Sequence, residues 1–466
     1  LPRPSEVILR KIDFEPTSKQ HQFFRQLDAL LEERSAKKLL ILKGYAGTGK
    51  TTLISTLVRV LPLFNYKYML LAPTGRAAKV ISSYSDRSAF TIHKIIFKQV
   101  VREDGSVGFE RRKNYSKRTV FVVDEASMLS SQSMFGRKSL LDEVMTFVSE
   151  HDSNRLIIVG DDAQLPPIGQ DKSASLDQEY ISSRYQHGLQ LTSLSEVIRQ
   201  EKGSGILVNA TRLRDELAKK EVSVRFNIGG FDDIYRMTGE RLEDGIRYAY
   251  DKYGQEEVMV ICRSNKSAYQ YNQYIRHRIF YFENELDAGD VLMIARNNYF
   301  HLDSESKAGF LANGDFVRIN KVRKFEEVHE LRFAELELQL LDYPDEPFEA
   351  KIILDSLHHD RPSLPEDITR SLYDSVMRDY EDIEDPKQRQ KALRNDPYLN
   401  ALQVKFAYAL TCHKSQGGQW KVVFIDQGYM TEELINHEFI RWLYTAITRA
   451  RQELFLVNFH SSFFNG

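Results

Sequence analysis

LLILKGYAGTGKT, residues 39–51, decides the fold class of this chain. Its first half is a continuous apolar run without polar alternation, the pattern of a strand buried on both faces of a parallel sheet. Its second half, GYAGTGKT at 44–51, fits the phosphate-loop pattern G-x-x-x-x-G-K-[ST]. The chemistry explains the spelling. Gly44, Gly47 and Gly49 let the backbone curl, so that the N–H groups of the loop, Ala46 and Thr48 among them, point at phosphate oxygens. Lys50 places a point charge on the β- and γ-phosphates, and Thr51 offers a hydroxyl to Mg²⁺. Thr52 follows in a helix beginning near Lys50, whose N-terminus adds its positive dipole end.

Outward from this stretch the same rhythm continues. YMLLAP (68–73), TVFVVDE (119–125) and LIIVGD (156–161) are short apolar runs ending in Pro or acidic residues and separated by helical stretches. This is the α/β pattern, with active sites beyond the carboxyl ends of the strands. A second series, EVMVICRS (257–264), VKFAYALT (404–411), VVFID (422–426) and ELFLVNF (453–459), implies a second lobe and a shared cleft. Two insertions interrupt the pattern. Residues 94–118 have a hairpin signal at Asp104-Gly105 and carry eight basic against three acidic side chains. Phe97, Phe109 and Tyr115 in it are candidates for stacking on bases. Residues 310–403 read as a small β-barrel followed by a charged helical stretch, 365–395, best explained as a solvated helix face.

TVFVVDEAS (119–127) is an apolar strand ending in two carboxylates. Asp124 is placed to hold Mg²⁺, directly or through its waters. Glu125 is placed to orient or deprotonate an attacking water. A kinase would not need that second carboxylate. GDDAQLPPIG (160–169) repeats the design, and Gln164 could reach a γ-phosphate and sense hydrolysis.

Taken in order, these motifs resemble superfamily 1 helicases of the 5′-to-3′, RecD-like and Dda-like branch. Further stretches carry the resemblance. Thr17-Ser18-Lys19-Gln20 is similar to the upstream glutamine motif, which implies that Gln20 reads the adenine edge. APTGRAAK (72–79) and TIHK (91–94) resemble first-lobe strand-binding segments, implying contacts from Pro73, Thr74, Gly75, Arg76, Lys79, Thr91 and His93. LTSLSEVIRQ (191–200) resembles the arginine motif and implies a γ-phosphate contact for Arg199. ANGD (312–315) resembles the entry to the family's small barrel. TCHKSQG (411–417) resembles the second-lobe strand motif, implying Thr411, His413, Lys414 and Ser415. LYTAITRAR (443–451) resembles the last motif and makes Arg449 a second arginine at the phosphates.

The resemblance implies two RecA-like parallel-sheet motor lobes, an inserted β-hairpin and an inserted small SH3-like β-barrel. The expected bounds are 1–93 plus 119–200 for the first lobe and 201–309 plus 404–466 for the second. The hairpin, a candidate wedge, takes 94–118, and the barrel with its appendage 310–403. Expected ligands are ATP, Mg²⁺, single-stranded DNA and single-strand/duplex junctions, with single-strand-binding or repair proteins as partners and a monomer as the state. Hydroxyls, basic groups and backbone N–H groups position phosphates without reading sequence, so little sequence preference is expected.

Composition fits this reading. Lys and Arg total 64 against 66 Asp and Glu, so a polyanion must bind in a local groove. The two cysteines, Cys262 and Cys412, give neither a disulfide framework nor a metal spacing, and a reducing cytoplasm is expected. No apolar run approaches the roughly 20 residues of a membrane span. Three other readings stay open: a P-loop phosphotransferase, disfavoured by the late 404–451 motifs; an RNA-tracking helicase; and an ATPase remodelling a protein partner without unwinding.

Overall fold

The structure, a computed structural model, describes residues 2–12, 14–32, 37–101, 107–133, 138–185, 188–196, 203–302, 306, 308–358 and 361–464. In chain order the strands are β1 (Lys37–Gly44), β2 (Lys67–Ala72), β3 (Ala89–Thr91), β4 (Phe97–Val101), β5 (Val107–Arg111), β6 (Thr119–Val123), β7 (Arg155–Gly160) and β8 (Gly188–Leu194). There follow β9 (Ile234–Met237), β10 (Val258–Cys262), β11 (Val291–Ile294), β12 (Phe316–Val328), β13 (Leu331–Leu340), β14 (Tyr343–Ile353), β15 (Leu402–Phe406), β16 (Ala409–Thr411), β17 (Trp420–Asp426) and β18 (Ala450–Val457).

The first lobe is a six-stranded sheet in the order β3-β2-β6-β7-β1-β8, parallel throughout. Ile41, Leu42, Val122, Val123, Ile158 and Val159 in its central strands are fully buried. Each such side chain contributes about 1.5–3 kcal/mol on leaving water, so this floor holds the loops at the strand ends rigidly. The second lobe is a five-stranded parallel sheet, β16-β10-β17-β18-β9. β4 and β5 pair as an isolated antiparallel hairpin whose turn, with Asp104-Gly105, lies outside the described residues. The hairpin is anchored on the helix Leu140–Ser149. Arg111 pairs with Glu143 at 3.1 Å and with Glu150, and the Asn114 amide donates to the Phe147 carbonyl at 2.9 Å. Lys94–Ile96, expected within the hairpin, belong instead to a short helix, Ile92–Ile96, capped by the Thr91 hydroxyl.

The inserted barrel is a closed ring of β11-β12-β13-β14-β15. It is larger than the expected 310–403, because it starts at Val291 and takes Leu402–Phe406 as its closing strand. The apolar run 404–411 is therefore two strands in two sheets. The division has a physical cause that the run itself does not display. Asn272 Oδ1 accepts from the backbone N–H groups of both Tyr408 and Ala409 at 2.9 Å, and the Tyr408 hydroxyl donates to the buried Asp290 at 2.8 Å. Arg276 grips Asp290 with two bonds of 2.8 Å, completing a buried joint between barrel and second lobe.

Barrel and second lobe share one hydrophobic core, whereas the first lobe has its own cores on the two faces of its sheet. The helices Glu366–Asp379 and Pro386–Arg394 form the appendage, fastened to the barrel through Leu372 and Val376 against Leu331 and Phe333. Both cysteines are buried and unpaired. Among the described residues no helix is long and apolar enough to cross a membrane.

Candidate nucleotide site and strand-binding surface

The P-loop links β1 to the helix Lys50–Val60. That helix differs from its neighbours at the N-terminus. Thr17, Thr74, Thr91, Ser139, Ser204 and Ser264 each cap a helix with a side-chain oxygen. The P-loop helix has Gly49 at that position, with φ +83° and no capping side chain. Its first N–H groups stay open to an anion, the requirement for binding phosphate. The Lys50 ammonium folds back onto the carbonyls of Gly44 and Tyr45, at 2.6 and 3.0 Å. Thr48 is buried and donates to the Tyr45 carbonyl at 2.8 Å, while Thr51 and Thr52 are exposed at the mouth of the loop.

Gln20 is buried behind the loop. Its carbonyl accepts from the Thr17 N–H at 3.0 Å and its amide donates to the Thr48 carbonyl at 3.4 Å. The Thr17-x-x-Gln20 spacing is thus also a capping box, so the glutamine has a local task besides the one expected of it.

At the end of β6, Asp124 accepts from the Tyr84 hydroxyl at 2.7 Å and from the Glu125 N–H at 2.8 Å. Desolvation, and then the Glu125 carboxylate, push Asp124 up to about 6. The Tyr84 hydroxyl also hydrogen-bonds the Thr51 side chain and feels the field of Glu125. Glu125 itself sits at φ +50°, a left-handed conformation that costs a non-glycine residue about 1 kcal/mol or more. Strain of that kind concentrates where a side chain must be aimed.

The second acidic loop, at the end of β7, is where the lobes meet. Asp161 is buried, and burial pushes it up to about 6 against the favourable field of Lys50. Gln164 is buried, and its Oε1 has no hydrogen-bond partner among the described residues. Ala163 and Leu165 pack into the core of the second lobe. The helix His437–Ile447 of that lobe supplies the matching groups. The Tyr444 hydroxyl donates to Asp161 at 2.6 Å and accepts from the P-loop N–H of Ala46 at 2.9 Å. The Thr445 hydroxyl accepts from the Leu165 N–H at 2.8 Å, and Arg441 donates to the Asp162 carbonyl. From the preceding motif, 411–417, Gln416 donates to the Leu165 carbonyl at 2.8 Å. Arg214, on the helix Gly205–Glu216, stacks over the ring of P-loop Tyr45 at 4.6 Å.

Arg449 lies elsewhere. It is buried, with Nε donating to the Thr445 carbonyl at 3.0 Å and Nη1 to the Gly418 carbonyl at 3.2 Å. Its guanidinium braces the second lobe, and among the described residues the second-lobe cation that reaches the acidic loop is Arg441. Arg199 lies outside the described residues.

The strand-binding expectation divides in the same way. Pro73 and Thr74 lead into the helix Gly75–Ser85, which Thr74 caps. That helix is engaged with the other units. A Cβ added at Gly75 would collide with Asp315 Oδ1 of the barrel loop. The Arg76 guanidinium is sandwiched between Phe316 of the barrel and Trp420 of the second lobe, at 4.5 and 4.4 Å. Lys79 pairs with Asp342 of the barrel at 2.6 Å. Arg76 and Lys79 therefore join three units here, where contacts to a strand were expected. Ser415 is fully buried and its hydroxyl donates to the Cys412 carbonyl at 2.8 Å.

Of the remaining residues, Thr91, Thr411 and Lys414 line two clefts bordered by the barrel. On the first lobe, Thr91 and Lys94 face Phe310 and Tyr343, and the His93 ring lies tilted against Phe97 at 5.4 Å, with burial holding it neutral to lower pH. On the second lobe, Thr411 and Lys414 share a cleft with Lys405, Arg361 and Tyr269. Burial lowers the values of His413 and Lys414. Of the aromatic candidates in the hairpin insertion, Tyr115 is 81% exposed, Phe97 is half-buried beside His93, and the side chain of Phe109 lies outside the described residues.

Sequence reading missed Tyr84, Arg441 and Tyr444. The last two had a signal: with Thr445 they fall at i, i+3 and i+4, one face of a helix.

An uncapped phosphate loop, two acidic strand ends and a second parallel-sheet lobe closing on them define a two-lobed P-loop nucleotide-binding motor fold. Residues 20–226 match a family described as an AAA domain, and residues 406–457 a UvrD-like helicase C-terminal domain. Protein R530 of Acanthamoeba polyphaga mimivirus is 25% identical, over 90% of this chain and 95% of R530. The ATP-dependent DNA helicase dda of Enterobacteria phage T4 is 26% identical, over 61% of this chain and 63% of its own. The ATP-dependent RecD2 DNA helicase of Deinococcus radiodurans is 30% identical over 30% of this chain and 18% of its own. A Pif1 helicase, from a structure addressing unwinding of forked duplex DNA by two coordinating Pif1 helicases, has the same fold. Its TM-score is 0.50 at 13% identity, over 97% of this chain and 95% of that one. The matched domains and these relatives make the chain similar to superfamily 1 helicases of the Pif1, RecD and Dda type.

Proposed function

We propose that this chain is an ATP-driven DNA helicase that moves 5′ to 3′ along single-stranded DNA and unwinds duplex ahead of it. One observation carries the reading: groups of the second lobe reach directly onto the P-loop and the acidic loop beside it, through Tyr444 and Arg441. A nucleotide held there touches both lobes, so its hydrolysis changes how they sit together.

The donor set suits Mg²⁺. The Thr51 hydroxyl and the Asp124 carboxylate, both hard oxygen donors, would hold such an ion, directly or through its waters. When bound, the cation neutralises charge developing on the β- and γ-oxygens. Glu125 orients the attacking water. The water oxygen bonds to the γ-phosphorus, the bond to the bridging oxygen breaks, and the water proton passes to Glu125 and on to solvent. Lys50 must leave the Gly44 and Tyr45 carbonyls to meet the phosphates. Arg449 serves the triphosphate only by leaving Thr445 and Gly418.

The strand is proposed to run beneath the barrel, across the cleft of Thr91 and Lys94 with His93 beside it, and then that of Thr411 and Lys414 with His413 beside it. These groups hold backbone without reading bases. The β4–β5 hairpin is the proposed wedge. Direction rests on the resemblance to the Dda and RecD2 type.

The test is ATP hydrolysis with and without oligo-dT, and unwinding of duplexes tailed at the 5′ or the 3′ end. Strand-stimulated turnover and preferential unwinding of the 5′-tailed duplex are expected, and Lys50→Ala should abolish turnover while retaining the strand. Equal unwinding of the 3′-tailed duplex overturns the polarity. Stronger stimulation by RNA makes RNA the track, and stimulated turnover without unwinding favours remodelling of a partner.

A further inference from the structure

We infer that Tyr444 is a positioning residue for ATP hydrolysis, acting through Asp161 and the P-loop. The inference rests on the hydrolytic reading above and deepens it. A phenol has one hydrogen to donate and lone pairs to accept with. Tyr444 uses both across the lobe boundary, donating to Asp161 at 2.6 Å and accepting from the Ala46 N–H at 2.9 Å. Tyr444 and Asp161 are each 1% exposed, so water does not replace either bond while the lobes are together.

Both partners bear on the reacting groups. Ala46 immediately precedes Gly47, where the loop turns with φ +74° toward the phosphate-facing amides. Asp161 opens the tight turn that ends in Gln164: its carboxylate accepts from the Ala163 N–H at 3.0 Å and its carbonyl from the Gln164 N–H at 3.3 Å. One hydroxyl of the second lobe thus fixes the P-loop entrance and the loop bearing Gln164 relative to each other. Holding the lobes together does not require it, since Thr445 on Leu165, Gln416 on Leu165 and Arg441 on Asp162 already do so. When the second lobe moves away, Asp161 and Ala46 lose their shared partner together, and the site loses its alignment at the moment the cleft opens. Hydrolysis is in this way confined to the closed arrangement.

Tyr444→Phe keeps the buried ring and removes only the hydroxyl. The expected result is at least about a tenfold fall in strand-stimulated kcat, with KM for ATP, oligo-dT affinity and Tm close to wild type, because a bond worth ~1.5 kcal/mol or more between charged and neutral groups is lost at the reacting geometry. Asp161→Ala combined with Tyr444→Phe should be no slower than Asp161→Ala alone, since both act on one path. A kcat within twofold of wild type overturns the inference, and so does a multiplicative loss in the double variant. If Tyr444→Phe does not fold, Asp161→Asn and Asp161→Ala decide: asparagine still accepts from the phenol and should retain several-fold more turnover, and equal losses overturn the inference. Failure of wild type to hydrolyse ATP would instead refute the reading on which this one rests.

Discussion

Asp315 in the ANGD loop carries a charge that the fold makes expensive, and replacing it with asparagine should stabilise the protein in a pH-dependent way. The carboxylate is 8% exposed, accepts from the Ala312 N–H at 2.7 Å, and lies against Gly75 at the start of the helix Gly75–Ser85. Burial, opposed in part by that hydrogen bond, pushes it from 3.8 up to about 7. At roughly 1.4 kcal/mol for each pH unit, ionised Asp315 costs the folded state about 4 kcal/mol. The positive end of the helix returns about a quarter of this, about 1 kcal/mol, and about 3 kcal/mol remains. The folded value lies above the unfolded one, so Asp315 favours folding when protonated. That contribution is complete below about pH 4 and is lost as pH rises through about 7. The amide side chain of the Asp315→Asn variant keeps the acceptor for Ala312 and has no such cost. Unfolding of 466 residues in one transition involves about 1 kcal/mol per degree, so Tm should rise by about 3 °C at pH 8. Less than half of the gain should remain by about pH 5. Thermal unfolding of both proteins from pH 5 to 8.5 measures this. A gain that does not shrink on acidification, or no gain at pH 8, refutes the assignment of the cost to a buried charge.

Glu125→Gln should reduce ATP hydrolysis by about 10² or more while nucleotide affinity holds, since the amide cannot take a proton from water; single-turnover kinetics and nucleotide titration check it. Arg76→Met should change stability by no more than about 1 kcal/mol, because the two ring contacts it loses, up to about 2 kcal/mol each, are offset by relief of a buried charge whose value is pulled down to about 10. Arg76→Ala should cost about 2–4 kcal/mol by leaving a void between Phe316 and Trp420, and equal Tm losses in the two variants would show that charge, not packing, holds the joint. In both variants that fold, oligo-dT affinity should stay within about threefold, as a residue spent on packing makes no phosphate contact.

Local chemistry made much of the molecule legible. An apolar run entering G-x-x-x-x-G-K-T fixes a buried parallel strand, an open loop and a helix start, because each depends on residues within a few positions of one another. The acid pair at 124–125 and the polar turn at 161–165 follow from the same rule, as does the existence of a hairpin and a barrel. The assignments that changed depend on groups distant in sequence. Asn272 divides the run 404–411 between two sheets. Phe316 and Trp420 take Arg76, and Asp342 takes Lys79, from side chains whose own motif pointed to a strand. Gly418 and Thr445 hold Arg449 within its own lobe.

The sequence by itself therefore determined the chemistry available: which loop can hold phosphate, which carboxylates stand beside it, and that a second lobe exists to close on them. Only the tertiary structure decided which side chains are spent on joining the units and which remain at the cleft, with Tyr444 rather than Arg449 reaching the P-loop. The reason is physical. A motif's spelling is set by contacts along the chain, whereas the partner of a long side chain is set by whatever the packed lobes bring within about 3–5 Å of it.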